Sequence, residues 1–79
     1  MTRVLHRDSV WPGENFLVCS TNKNGEEIIH QSERDDHRAD HAVETLNEHE
    51  TNHARRARYY WREVKPGEVI PRGEKHYLA

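Results

Sequence analysis

At 79 residues the chain has room for one small domain, a size at which folding buries only about 60–65% of the surface that an unfolded chain exposes. Apolar and charged residues each make up 33%, no apolar stretch nears the ~20 residues that span a bilayer, and one cysteine, Cys19, excludes both an internal disulfide and a multi-cysteine zinc site. The net charge of −2 conceals an asymmetry: Glu26 to Glu50 holds nine acidic residues against Arg34 and Arg38, whereas Thr51 onward holds seven basic residues against three acidic.

The first fifteen residues carry few signals. Val4-Leu5 could form a short strand, and Trp11-Pro12-Gly13 marks a turn. The N-terminus lacks a signal-peptide core, and a small domain without disulfides suits a reducing compartment, so a cytoplasmic protein is expected. Phe16 to Thr21 is rich in apolar and β-branched residues and reads as a strand. Asn22-Lys23-Asn24-Gly25 then supplies hairpin chemistry, with Asn24-Gly25 at the positive-φ positions. Glu26 to Gln31 is the returning strand. Cys19, inside an apolar run, is expected to be a buried thiol.

Ser32-Glu33-Arg34-Asp35 resembles a capping box, and Ala39, Ala42, Val43 and Leu46 recur at helical spacing. These signals predict a helix from about Glu33 to about Glu50. Arg58 to Val64, with Tyr59-Tyr60-Trp61 at its centre, is a third strand ended by Lys65-Pro66-Gly67. Val69-Ile70 would add a short extended piece. The predicted fold is α+β: a ββαβ unit, an antiparallel hairpin plus a third strand, with one helix packed on one face. The single domain spans residues 1–79, ordered between about 15 and 70.

Three patterns could carry chemistry. His49-Glu50-Thr51-Asn52-His53 fits the H-E-x-x-H pattern, in which two histidines one helical turn apart hold zinc and the glutamate activates water. A catalytic zinc needs a third ligand, and the His37–His41 pair would lie about 18 Å away on one continuous helix. The reading therefore assigns no metal, no catalytic residue and no cofactor, and keeps a zinc site only as an alternative. Arg55, Arg56, Arg58 and Tyr60 interleave guanidinium groups and rings, which suits nucleic acid and stands as the second alternative. The carboxylates Asp36, Asp40, Glu44 and Glu48 repeat every four residues along the helix, a layout that can dock on a basic groove of a partner.

The order of features resembles that of small accessory proteins encoded by bacteriophages of actinobacteria. The likeness covers Phe16 to Val64: a short hairpin around Asn24-Gly25, an acidic Ala-rich helix ending near Leu46-Asn47, and a closing aromatic strand such as Arg58-Tyr59-Tyr60-Trp61-Arg62-Glu63-Val64. It is a likeness of arrangement and carries over no functional residues. It implies a compact protein that binds and alters a host or viral protein. The expected function is thus a non-enzymatic protein-binding module. Its partner-binding residues would be Asp36, Asp40, Glu44 and Glu48 on the helix, with Arg58, Tyr60 and Arg62 on the last strand. A homodimer is a further expectation, because so small a sheet leaves an edge to cover.

Overall fold

The computed structural model describes residues 2–52 and 58–74. Four strands form one mixed sheet: β1 (Thr2–Val4), β2 (Phe16–Thr21), β3 (Glu27–Glu33) and β4 (Tyr59–Glu63), in the spatial order β1-β3-β2-β4. The helix α1 spans Asp36–Asn52, and a single 3-10 turn occupies Arg7–Ser9. The α+β class and the hairpin-helix-strand order hold. What differs is a fourth strand: β1 joins the sheet parallel to β3, pairing Thr2 with Glu27 and Val4 with Ile29.

The β2–β3 turn is built on Asn22. Its Oδ1 accepts the N–H groups of Asn24 and Glu26, both at 2.9 Å, while the Gly25 N–H bonds the Asn22 carbonyl at 3.0 Å. Gly25 takes the positive φ of 82° that the turn requires. The ladder then runs in register until a bulge: Val18 faces Gln31, but Cys19 faces Ile29, which leaves His30 as the extra residue.

Alternation along the strands sorts side chains onto two faces. One carries Val4, Leu17, Cys19, Ile29 and Val64, which pack with Val10 and Ile70 in a continuous core. Neither Val10 nor Ile70 belongs to a strand. Residues 5–15 and 64–74 cover this face from the two chain ends, and they are tied together there. The Gly73 N–H donates to the Val10 carbonyl at 2.7 Å, and the Arg72 guanidinium donates to the carbonyls of Trp11 and Glu14. Val10, which lies ahead of the segment expected to be ordered, is fully buried. Val69-Ile70 forms no strand, though Ile70 serves the core.

The other face carries Phe16, Val18, Tyr59 and Trp61, and α1 lies across it. Of the predicted helical stripe only Ala39 is fully buried, whereas Ala42, Val43 and Leu46 are half-buried. The helix starts later than its sequence suggests, because Ser32 and Glu33 complete β3. Asp35 is the cap: its Oδ1 accepts the Arg38 N–H at 2.8 Å. Ser32 has a tertiary partner set instead. Its hydroxyl accepts the Trp11 N–H at 2.8 Å and donates to Glu14 at 2.7 Å. Two hydrogen bonds at a buried position outweigh one exposed local cap.

Candidate protein-interaction site

The exposed side of α1 presents Asp36, Asp40, Glu44 and Glu48 as one column, all four solvent-exposed. Four-residue spacing puts neighbouring carboxylates roughly 6 Å apart along the axis, so the column runs about 18 Å. Among the described residues none of the four has an ion pair. Other carboxylates of the fold do: Glu26 with Arg3 at 3.8 Å, Asp35 with Arg38 at 3.4 Å, and Glu27 and Glu68 with Arg62. Like charges at i,i+4 destabilise a helix by about 0.2–0.5 kcal/mol per pair, so this column costs stability.

Beside it runs a second exposed column, His37, His41, Thr45 and His49. At the N-terminal end of α1 an open hollow of about 570 Å³ is lined by Glu33, Asp35, His37, Arg38, His41 and Ala42. The helix surface thus sets a column of carboxylates beside a column of imidazoles.

The β4 residues expected to face a partner are placed differently. Tyr60 and Arg62 point to the Val10 side of the sheet, toward Glu27. Arg62 donates from Nε and Nη2 to the two Glu27 oxygens, each at 2.8 Å, and from Nη1 and Nη2 to Glu68 at 2.9 and 2.7 Å. The Tyr60 hydroxyl adds a third donor to Glu27 at 2.6 Å, and Thr2 a fourth at 3.2 Å. Arg62, expected among the partner-binding residues, is placed as an internal cross-link: its side chain is 17% exposed and its fork is committed to two carboxylates. Arg58 is exposed, and Tyr60 stands at 36% exposure with its hydroxyl held.

The network reshapes acidity around it. Hydrogen bonds from Arg62 hold the Glu27 and Glu68 carboxyls down at about 2 against partial desolvation, and the guanidinium is held charged in return. Burial, then the Glu27 contact, pushes Tyr60 up to about 12. Burial likewise raises the Cys19 thiol to about 12, so Cys19 is a protonated core side chain at neutral pH.

On the helix side of the sheet, His30 sits 2.8 Å from the Ser20 hydroxyl and edge-on to Tyr59, with ring centroids 5.0 Å apart. Burial first, and His6 second, lower the His30 pKa, which keeps the ring neutral. Such a contact resembles a nucleophile–base pair, but among the described residues no carboxylate bonds the second ring nitrogen. The pair satisfies two polar groups at the sheet surface.

His49 lies on exposed helix, whereas His53, Arg55, Arg56 and His76 lie outside the described residues, as does the Glu50 side chain. Among the described residues no group of three His, Cys, Asp or Glu side chains could hold a metal ion. No described helix is long and apolar enough to cross a membrane.

Sequence reasoning passed over Glu14, Glu27 and Glu68. A signal for two of them was present: Pro-Gly-Glu occurs twice, at Pro12-Gly13-Glu14 and Pro66-Gly67-Glu68. Both copies make the same turn, with the Glu N–H bonded to the residue three back (3.2 and 3.0 Å) and glycine φ at 84° and 79°. Each turn aims its glutamate back at the sheet, one onto Ser32 and the other onto Arg62.

Comparison of the chain with protein-family models, curated proteins and solved structures returned no match.

Proposed function

We propose that this chain is a small non-enzymatic protein-binding module that docks on a basic surface of a protein partner through the exposed face of α1. The observation that carries the reading is the column of four exposed carboxylates that, among the described residues, has no ion pair. A fold that neutralises Glu27 and Glu68 with one partly buried arginine gives Asp36, Asp40, Glu44 and Glu48 no ion-pair partner among the described residues, and leaves them for another molecule to neutralise. Complementary charge of this kind steers encounter and fixes register more than it adds raw affinity. Arg62 is occupied internally, so it is withdrawn from the binding set, and Tyr60 lies on the face of the sheet opposite α1 and stands outside this site. This is the behaviour of an accessory protein that modulates a host or viral protein in the cytoplasm, the class its order of features resembles.

The test is affinity capture from a bacterial lysate treated with nuclease, comparing the native chain with an Asp40→Lys/Glu44→Lys variant. A near-stoichiometric protein retained by the native chain and lost by the variant supports the reading. Equal recovery by both, or recovery only of material that nuclease removes, overturns it.

A further inference from the structure

One edge of the sheet lies at β4, the other at β1. The Val64 N–H bonds the Asn15 carbonyl at 2.8 Å and so extends the β2–β4 register by one pair. Hydrogen-bonded and non-bonded pairs alternate in an antiparallel ladder. Tyr60 and Arg62 therefore bond toward β2, while Tyr59, Trp61 and Glu63 aim their N–H and C=O groups away from the sheet. An outward row of this kind is a template for another strand.

The row is not left open. From α1 the Asn47 carboxamide accepts the Tyr59 N–H at 2.8 Å through Oδ1 and donates through Nδ2 to the Tyr59 carbonyl at 3.2 Å. A carboxamide offers the same donor and acceptor as a peptide group. Asn47 thus fills at Tyr59 the place that a residue of an incoming strand would take. Farther along, Arg62 Nη1 reaches the Glu63 carbonyl at 3.3 Å.

We propose that Asn47 guards the β4 edge, and that the occupant it excludes is β4 of a second copy of this chain. Charge fixes the register of such a pair. Two antiparallel β4 strands about a two-fold axis can centre on Tyr60, Trp61 or Arg62. Centring on Tyr60 opposes Arg58 with Arg62, and centring on Arg62 opposes that residue with itself. Like charges directly opposite are destabilising. Centring on Trp61 instead sets Tyr60 across from Arg62 and Tyr59 across from Glu63, with the outward groups of residues 59, 61 and 63 supplying the ladder. That register needs both backbone groups of Tyr59, the two that Asn47 holds.

Sedimentation velocity across a concentration series, with circular dichroism to verify folding, tests this on the native chain, Asn47→Ala and Asn47→Ala/Glu63→Pro. Proline at 63 deletes an outward N–H without touching the bonds to β2. The native chain is expected to stay monomeric, Asn47→Ala to shift toward dimer as concentration rises, and the double variant to return to monomer. A native dimer, a folded but monomeric Asn47→Ala, or a dimer that survives Glu63→Pro each overturns the proposal. Should Asn47→Ala fail to fold, amide exchange on the native chain decides. Tyr59 is expected to be protected like Tyr60 and Arg62, with Trp61 and Glu63 exchanging at least roughly tenfold faster. Equal protection along the whole strand would overturn the proposal, because the edge would then be covered by something else.

Discussion

Gly73 shows how much one residue can decide where two chain ends meet. Its N–H bonds the Val10 carbonyl at 2.7 Å, and a Cβ built there would sit 3.0 Å from the Asp8 Cα and 3.1 Å from the Arg7 carbonyl oxygen. Both neighbours are backbone, so they cannot rotate away. Gly73→Ala is expected to cost about 1–3 kcal/mol, in the range of overpacking a tight interior. The check is the urea midpoint, which should fall with the slope unchanged; a midpoint equal to the native one would show that the two segments separate freely. Ser32 teaches the same lesson from the other direction. Its local sequence offers it as a helix cap, yet the structure spends its hydroxyl on Trp11 and Glu14.

At the scale of the element, α1 is poorly designed for stability alone. Three successive like-charge i,i+4 pairs run down its exposed side, from Asp36 to Glu48. Glu44→Lys replaces two repulsions with two attractions, which should stabilise the helix by roughly 1 kcal/mol at low ionic strength. Thermal unfolding should therefore move up by several degrees for a domain of this size, and the gain should shrink as salt screens it. The same substitution is expected to weaken partner capture. A variant that is more stable but binds less separates a functional surface from a structural one. Unchanged or lower stability at low salt would mean that the carboxylates are neutralised within the fold.

At the scale of the molecule, one ionic network joins parts that are distant in sequence. Glu27 on β3 collects Thr2 from β1 and Tyr60 and Arg62 from β4, while Arg62 reaches Glu68 in the turn beyond. Both carboxyls titrate near 2 in the folded chain, below their ordinary 4.5. A lowered folded-state pKa means that the unfolded chain takes up protons first as pH falls. The contribution is therefore complete above about pH 4.5 and is lost progressively as pH drops toward 2. Urea titrations at a series of pH values should show stability declining through that window. In Arg62→Met the decline should flatten or reverse, since two carboxylates left facing each other welcome a proton. An acid limb as steep as the native one would remove the network from the account of stability.

Local chemistry by itself determined the hairpin at Asn22 to Gly25, the helix and the aromatic strand. Turn residues, periodicity and β-propensity act over a few neighbours, and the final fold opposed them only at the start of the helix, where Ser32 and Glu33 were drawn into β3. The acidic column was legible for the same reason, because four-residue spacing becomes one exposed stripe on any helix. Only the tertiary structure decided the partners. Arg62 and Glu27 stand 35 residues apart, and they meet because β2 separates β3 from β4 while Thr21 and Leu17 hold the register on either side. Val10 reached the core, although its segment has no periodicity, because the face opposite α1 needed a cover. Asn47 looked like any polar helix residue until the sheet brought the Tyr59 backbone within its reach. Long-range pairing of this kind depends on strand order, and strand order is set by which faces must be buried against which, a property of the assembled chain.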